Sequence, residues 1–346
     1  MSETYQTLDN LPTGFELWWR TQLPKDSNGQ RQLGSSILGL SDHFQSNLPT
    51  PWDHPTFSKT YNLYFLPLNI LRLRHVIGRL IPTGFFEGID TIVDFGSGPG
   101  TGSLSFENTG LVNQILNYEP VEAPKKTHRM FQKKGVLEIS NQWLEKEADI
   151  LPWIKKESCL LLMSYSLNEL PKLPEWIYTA KNLLIVEPST HQKGRPLLEL
   201  RQKLIDTPSH LVWGPCTHQQ QCPLLVHSKK DFCHDRVKPK LPEEWSHSIE
   251  KNIPIKNNTL TMSYLATSHR TPPTLDRSRI TGDPQKQKGK TLQMVCSDSK
   301  RQFLCWMDKN KNYQLIPRGE LIENSFSSKP VSHELRVESE ITVIDN

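Results

Sequence analysis

A strand followed by a glycine-rich turn constrains this chain of 346 residues more than any other feature of its sequence. The apolar run Thr91–Val93 predicts a buried strand, and Asp94 follows it directly. Four glycines then stand at alternate positions, 96, 98, 100 and 102. Glycine adopts positive φ without strain and has no Cβ that would keep a ligand away from the backbone. A strand, a glycine turn and a helix in this order are typical of the first crossover in a nucleotide-binding α/β sheet.

The spacing of the motif, D-x-G-x-G-x-G, differs from the G-x-G-x-x-G spacing of dinucleotide-binding folds. It favours a ligand without a pyrophosphate that lies close to the backbone and is held by acidic side chains. S-adenosylmethionine has these properties, because its sulfonium and ammonium groups are positive and its ribose offers two hydroxyls. A glycine-rich surface turn and another type of nucleotide site are the alternatives. The residues predicted to hold this cofactor are Asp94, Gly96, Ser97, Gly98, Gly100, Thr101 and Glu119.

Strand-like and helix-like segments alternate after the turn, which predicts a parallel sheet with right-handed crossovers. Glu119 follows the second predicted strand about 20 residues after the glycines, where such folds place the acid that binds ribose hydroxyls. Tyr165 and Asn168 follow a later strand and are the candidates for contact with a substrate base. A capping role at the start of a helix is an equally good interpretation of Asn168. The predicted strands span residues 114–118, 159–163, 183–186, 210–213 and 259–267, and the predicted helices span 103–111, 124–134, 174–181 and 195–205.

The composition is that of a mildly basic chain rich in polar loops, with a formal net charge of +4 and a mean hydropathy of −0.54. This charge is compatible with an RNA or ribosomal partner but is too weak to establish one. No apolar run approaches the roughly 20 residues that a membrane span requires. The first residues resemble neither a signal peptide nor a transit peptide. We therefore expect a cytoplasmic protein and a monomer, although the sequence leaves the oligomeric state open.

Three of the six cysteines, Cys216, Cys222 and Cys233, crowd one loop with the spacing C-x5-C-x10-C, and Cys296 follows much later. In a reducing compartment such crowding favours metal or cluster ligation over disulfides. Four thiolates are an acceptable ligand set for a [4Fe–4S] cluster. Zinc is the alternative, with histidines 218 and 234 as substitute ligands, although the C-x2-C pairing usual in zinc sites is missing. Spacing alone does not choose between the metals, and free cysteines in a loop are the third interpretation.

The chain is predicted to consist of four parts. Residues 1–85 form a helical preface, in which a helix over residues 60–81 is kinked or split at Pro67. Residues 86–268 form a Rossmann-like domain with a Cys-rich insertion at 214–257. Residues 269–326 form a small basic β module, and residues 327–346 are predicted to be a loose tail.

The glycine turn and the cysteine loop together resemble a known family, the methyltransferase-like proteins of the small ribosomal subunit, which has bacterial members and a mitochondrial assembly factor. The resemblance implies an α/β fold with a Rossmann-like class I methyltransferase sheet, an inserted cluster loop and a C-terminal β extension. It also implies a [4Fe–4S] cluster held by the four cysteines of the loop and of position 296. The matching segments are Asp94–Gly102, Ser164–Pro171, Pro215–His218, Cys222–Pro223, Phe232–His234, Met262–Leu265 and Lys288–Cys296.

The resemblance implies an S-adenosylmethionine-dependent methyltransferase that acts on the small ribosomal subunit or its rRNA. The alternative is a non-catalytic assembly factor that binds rRNA through the same fold. It is favoured by the segment Ser164–Glu169, which lacks the Pro-Pro-aromatic loop of amino-methylating enzymes and the catalytic cysteine of cytosine-C5 enzymes. Under this alternative, basic residues contact rRNA phosphates. These residues are Lys229, Lys230, Lys286, Lys288, Lys290 and Arg301.

Overall fold

A computed structural model of the chain describes residues 8–46, 48, 50–207, 210–274, 276–309 and 313–344. Its α-helices are α1 (Thr13–Gln22), α2 (Ser27–Gln45), α3 (Pro55–Thr60), α4 (Leu66–Leu80), α5 (Thr101–Phe106), α6 (Glu122–Lys133), α7 (Leu151–Ile154), α8 (His191–Asp206), α9 (Pro223–His227) and α10 (Glu243–Ser248). A π-helix spans Tyr61–Phe65. Short 3-10 helices span Ile81–Thr83, Glu147–Ile150, Leu167–Glu169, Glu175–Thr179 and Glu250–Asn252.

Strands follow the helical N-terminal region and continue to the end of the described chain. They are β1 (Thr91–Phe95), β2 (Gln114–Tyr118), β3 (Ser140–Trp143), β4 (Cys159–Ser164), β5 (Asn182–Glu187), β6 (Leu211–Gly214), β7 (Asp235–Val237), β8 (Leu260–Ser268), β9 (Arg277–Ile280), β10 (Gln285–Gln287), β11 (Lys290–Cys296), β12 (Gln302–Met307), β13 (Leu321–Glu323), β14 (Ser328–Val331), β15 (Glu334–Val337) and β16 (Val343–Ile344). The chain divides into two compact units. The first unit contains the described residues up to 78 and residues 86–185 and 237–260. The second unit contains residues 79–85, 186–236 and 261–344.

The first unit is built on a sheet with the strand order β3-β2-β1-β4-β5. β1 pairs in parallel with β2 on one side and with β4 on the other, so the chain changes direction across the sheet at β1. This is the order of a doubly wound α/β sheet, whose ligands bind outside the carboxyl ends of the strands at that switch point. Every residue of β1 is buried. The predicted α/β class with a Rossmann-like sheet is therefore confirmed.

The N-terminal helices of this unit are held by stacked aromatic rings. Trp19 is fully buried and stacks on Trp245, with ring centroids 5.7 Å apart. Its Nε1 also donates a hydrogen bond to the carbonyl of Leu63 at 2.8 Å. That carbonyl lies four residues before Pro67, which has no N–H to donate to it in a helix. The helix predicted over residues 60–81 is thus interrupted by the π-helix at Tyr61–Phe65, and the indole satisfies the carbonyl that proline leaves open.

The second unit contains a β module with the strand order β14-β15-β12-β11-β9-β13-β16, and β10 pairs with β11. In the same unit β6 pairs antiparallel with β8. The core of the module includes Leu304 and Trp306. Val337 and Ile341 also belong to this core, with exposures of 1% and 2%. The tail predicted to be loose from residue 327 therefore contains strands, because its few apolar side chains fill the core of the module.

Other predictions differ from the structure in detail. The helix predicted over 103–111 ends at Phe106, and the one predicted over 174–181 is a 3-10 helix. The compact units do not follow the predicted boundaries, since residues 186–236 group with the β module. Among the helices of the described residues, none is long and apolar enough to cross a membrane.

We predict that Trp19→Ala lowers the free energy of unfolding by about 3–5 kcal/mol, because it empties a fully buried site. Trp19→Phe should cost about 1–3 kcal/mol, because it keeps an aromatic ring but leaves the Leu63 carbonyl without its donor. Urea unfolding measures both values. Leu17→Ala on the same helix is the control, since Leu17 is 62% exposed and the change should stay within about 0.5 kcal/mol. Equal losses for Trp19→Phe and Leu17→Ala would contradict the role given to the indole N–H.

Candidate functional site

The glycine turn is hydrogen-bonded to the end of the neighbouring strand β2. The backbone N–H groups of Gly96 and Ser97 both donate to the carbonyl of Tyr118, at 2.8 and 3.1 Å. Gly96 has a φ of +70°, and a Cβ there would lie 2.5 Å from the Cβ of Ser166. A side chain is therefore excluded at this position by conformation and by space. The turn continues into α5, which begins at Thr101.

Glu119 lies at the end of β2 and is fixed by two backbone donors. Its Oε2 accepts from the N–H of Gly98 at 2.8 Å, and its Oε1 accepts from the N–H of Val121 at 2.9 Å. Burial raises the pKa of Glu119, and the Glu169 carboxylate raises it further. Each carboxylate oxygen has a second lone pair. The arrangement holds the carboxylate beside the glycine turn and leaves acceptor capacity for two hydroxyl groups.

Asp94 is buried below the turn, with an exposure of 1%. Its Oδ2 packs against Gly102, where a Cβ would lie 2.3 Å from that oxygen. Burial raises the pKa of Asp94 to about 7, and the nearby Glu119 carboxylate adds to the effect. Within the described part of the chain, Asp94 Oδ2 has no hydrogen-bond partner. A buried acceptor without a partner is rare in folded proteins.

The segment after β4 closes over the same strand end. Ser166 Oγ donates to the carbonyl of Phe95 at 2.7 Å, which ties the segment to β1. Tyr165 has a φ of +62°, a left-handed conformation that strains a residue with a side chain. Asn168 Nδ2 donates to the carbonyl of Tyr165 at 3.2 Å. The amide of Asn168 thus has the local turn role that was the alternative to contact with a base.

Aromatic residues that the sequence analysis missed lie around the turn. The side-chain atom nearest to a Cβ placed on Gly98 is Trp52 Cζ2, at 4.0 Å. The ring of Trp52 contacts that of Tyr61 edge-on, with centroids 4.8 Å apart. Burial raises the pKa of Tyr61, Glu169 and Tyr165 raise it further, and Thr101 is a hydrogen-bond neighbour. Because these contacts join segments far apart in the chain, only an isolated tryptophan in a proline-rich stretch could have indicated them.

A buried histidine lies behind the turn. His128 has an exposure of 0%, and burial lowers its pKa to about 4, so the ring is neutral at physiological pH. A Cβ on Gly100 would lie 3.2 Å from this ring. The φ of Gly100 is +101°. His128 therefore shapes the turn through packing.

The second unit brings the four predicted cysteine ligands near one another. Burial raises the pKa of the thiols of Cys222, Cys233 and Cys296, and their mutual proximity and that of Cys216 raise it further. His218 Nε2 lies 3.4 Å from Cys296 Sγ. Nevertheless, the described residues contain no group of three or more His, Cys, Asp or Glu side chains that could hold a metal ion. The predicted [4Fe–4S] cluster and its zinc alternative are thus not supported by a formed metal site among the described residues.

Three of the six basic residues predicted to contact rRNA are ion-paired within the second unit. Lys286 pairs with Asp308, Lys290 with Glu334, and Arg301 with Asp231. Surface pairs of this kind are weak, so they compete only modestly with a phosphate. The predicted rRNA contact through these residues stays a prediction.

We predict that the difference in free energy of unfolding between Asp94→Asn and the wild type depends on pH. The folded-state pKa of Asp94 is raised from 3.8 to about 7, so the native state holds a proton that the unfolded state has released. Wild-type stability should therefore fall with rising pH between about 4 and 7, by up to about 1.4 kcal/mol per pH unit. The asparagine variant should lack this fall and be the more stable protein above pH 7.

Urea unfolding at pH 4, 5.5, 7 and 8 measures this difference. The exposed Asp53 provides the control, since Asp53→Asn should give a curve parallel to that of the wild type. If the difference in free energy of unfolding between the wild type and Asp94→Asn stays constant from pH 4 to 8, Asp94 is ionised in the folded protein over that whole range.

The chain is similar to one protein family over more than half of its length. A family model described as "Mitochondrial small ribosomal subunit Rsm22" matches residues 88–314. No curated protein matches the chain.

Solved structures that resemble part of the chain include methyltransferases. A putative S-adenosylmethionine-dependent methyltransferase from Methanococcus maripaludis is 15% identical over 44% of this chain and 82% of its own, with a TM-score of 0.35. A methyltransferase of the same cofactor class from Aquifex aeolicus is 17% identical over 43% and 84%, with a TM-score of 0.31. A putative RNA methyltransferase from Pyrococcus horikoshii is 10% identical over 56% and 83%, with a TM-score of 0.33. Similarity at this level is too distant to assign a substrate.

Proposed function

The chain belongs to the family of the mitochondrial small ribosomal subunit protein Rsm22, and from this premise we propose that it is an S-adenosylmethionine-dependent methyltransferase of the small ribosomal subunit or its rRNA. The observation that carries the proposal is the pair of buried carboxyl groups at the glycine turn. Glu119 is oriented by two backbone N–H groups, and Asp94 Oδ2 is a buried acceptor with no partner among the described residues.

The turn offers groups that suit the ribose hydroxyls and the ammonium of the methyl donor. Glu119 would accept the two ribose hydroxyls, and Asp94 would act near the methionine ammonium, directly or through water. Gly96, Gly98 and Gly100, with Ser97 and Thr101, would line the donor, and the open Cβ side of Gly98, whose nearest neighbour is Trp52 at 4.0 Å, supports this assignment. When bound, the donor supplies an electrophilic methyl group. The contribution of the chain is to position this group against its acceptor and to exclude water.

Tyr165 and Asn168 are the proposed contacts to the acceptor. Both lie in the segment that Ser166 ties to the end of β1, and the strained backbone of Tyr165 is typical of residues held for function. The hydrogen bond from Asn168 Nδ2 to the Tyr165 carbonyl would then serve to fix that backbone.

A non-catalytic assembly factor is the second candidate. The observation that favours it is the use of the Asn168 amide within its own turn, which occupies a donor that a substrate base would otherwise use. In this case the donor site would be a structural remnant, and the protein would bind the small subunit without modifying it. The cytoplasmic location and the monomeric state stay predictions, and the description of the family refers to the mitochondrial small subunit.

We further propose that Cys216, Cys222, Cys233 and Cys296 bind a [4Fe–4S] cluster. In such a cluster each cysteine binds a different iron atom, so the four sulfurs lie farther apart than the ligands of a single ion. The support is the mutual proximity of the four thiols, two of which, those of Cys222 and Cys296, are buried, and the positive charge beside them. Arg279 lowers the pKa of Cys233 and Cys296 and so opposes the effect of burial. Zinc at the same residues is the alternative.

We predict that Gly98→Val abolishes donor binding, with a loss of affinity on the order of 100-fold, since the new side chain would occupy the space of the donor. Calorimetry with S-adenosylhomocysteine measures the affinity. Gly110→Val is the matched control, because Gly110 has a similar φ of +65° with no atom within 4 Å of its Cβ position. Both changes strain the backbone by about 1–2 kcal/mol, but only the first should lose the ligand. Unchanged affinity in Gly98→Val would exclude the turn as the donor site.

Transfer of a labelled methyl group from S-adenosylmethionine to immature small ribosomal subunits tests the activity itself. We expect incorporation into rRNA by the wild type and by Gly110→Val, and none by Gly98→Val or Asp94→Ala. Binding to the subunit without incorporation would contradict catalysis and favour the assembly factor.

We predict that protein purified without oxygen is brown and contains iron and acid-labile sulfide. Serine at any of the four cysteines should reduce the bound iron by more than half, because a thiolate ligand is lost. Cys305→Ser is the control. Cys305 is buried in the same unit, but it is not one of the four proposed ligands, and none of those four cysteines affects its pKa. A colourless protein with stoichiometric zinc would identify the alternative metal, and a protein free of both metals would contradict the site.

A further inference from the structure

A cleft of about 560 Å³ lies beside the glycine turn in the first unit. Its walls come from α1, the loop after α2, α3, the π-helix and α6, and they include Trp18, Trp52, Lys59, Asn62 and Thr127. Its volume lies within the range of about 300–1,000 Å³ usual for small-molecule sites. Trp52 is also the residue nearest to the open face of Gly98. The cleft therefore borders the space assigned to the methyl donor.

Two buried polar atoms of the residues lining this cleft lack partners among the residues that the structure describes. One is Trp18 Nε1, which can only donate, and the other is Asn62 Oδ1, which can only accept. Asn62 has an exposure of 8%. Buried polar groups in folded proteins are almost always hydrogen-bonded, so it is unusual that two residues lining one cleft each carry an unpaired polar atom, one a donor and the other an acceptor.

The backbone at Asn62 gives independent support. Asn62 belongs to the π-helix Tyr61–Phe65, and π-helical turns are rare and occur frequently at functional sites. The Trp19–Leu63 hydrogen bond stabilises this turn. The side chain of Trp18 is held by an edge-on contact with Phe131, with ring centroids 4.7 Å apart. The polar atoms of the cleft are thus carried by side chains with fixed positions.

We propose that this cleft receives an unpaired nucleobase of the RNA acceptor, an inference that rests on the proposed methyltransferase function. Two indoles provide apolar surfaces for a planar ring, and protein aromatics are the usual platform for an unstacked base. The edge of a base presents an acceptor and an N–H side by side, which complements Trp18 Nε1 and Asn62 Oδ1. Lys59, exposed at the rim, lies where the phosphate beside that base would pass. An enzyme that modifies a base must take it out of the stack in this manner.

The test uses two conservative changes in the full-length protein. Trp18→Phe removes the indole N–H and keeps an aromatic ring against Phe131, and Asn62→Leu removes the acceptor. Trp153→Phe is the matched control, because Trp153 lies on α7 and does not line the cleft. The probes are fluorescein-labelled single-stranded RNA heptamers of adenosine, cytidine and uridine, and an abasic ribose-phosphate heptamer. Fluorescence anisotropy in the presence of S-adenosylhomocysteine gives the affinities, and calorimetry gives the affinity for S-adenosylhomocysteine alone.

We expect the wild type and Trp153→Phe to bind at least one RNA heptamer about tenfold more tightly than the abasic one. Trp18→Phe and Asn62→Leu should lose most of this preference and keep the thermal unfolding midpoint and the affinity for S-adenosylhomocysteine. Equal binding of RNA and abasic heptamers by the wild type would overturn the proposal. The proposal would also be overturned if Trp18→Phe and Asn62→Leu lost S-adenosylhomocysteine binding but kept RNA binding. The cleft would then be part of the binding site for the methyl donor.

Two further results separate the proposal from its premise and from a protein acceptor. A wild type that binds no S-adenosylhomocysteine, while its RNA preference still depends on Trp18 and Asn62, would contradict the methyltransferase function and support the base cleft. Binding of a fluorescein-labelled basic peptide that depends on Trp18 and Asn62, without binding of any heptamer, would identify a protein partner and overturn the nucleobase.

Discussion

Two carboxyl groups, those of Asp94 and Glu119, lie near each other at the glycine turn. Burial and mutual repulsion make this arrangement unfavourable without a ligand, and the protein reduces the cost by keeping Asp94 protonated near neutral pH. Glu119 is instead stabilised by the two backbone N–H groups of Gly98 and Val121. The same two strand ends fix the turn, since Gly96 and Ser97 donate to Tyr118. Under the proposed function, the positive charge of the methyl donor would offset the remaining cost of this arrangement.

The part of this arrangement that lies close along the chain could be predicted from the sequence. β1, β2 and β4 are recognisable because each is a short apolar run, and parallel strands buried on both faces have that pattern. The acids at their ends then fall at one edge of the sheet, as the fold requires. The glycines are recognisable because their chemistry is local, a matter of φ and of the missing Cβ.

Features that depend on distant segments could not be predicted in the same way. The π-helix follows from Pro67 only together with Trp19, which supplies the missing donor from a position more than forty residues away. Trp52 and Tyr61 approach the turn from the N-terminal helices, and no periodicity indicates that approach. The loose tail was predicted from its polar composition, whereas two of its apolar residues, Val337 and Ile341, are buried in the core of the β module. The crowding of the cysteines along the chain predicts a shared site, and its use as a metal site stays a prediction.

The strand order of the β module has a consequence for synthesis of the chain. β15 pairs in parallel with β12, and β16 pairs with β13, so these strands are partners of strands made earlier in synthesis. The hydrophobic core around Trp306 stays incomplete until Val337 and Ile341 have emerged. β11, which ends in Cys296, belongs to the same sheet. The nascent chain therefore exposes an unfinished sheet, with apolar side chains of its core uncovered, until these two residues have been made.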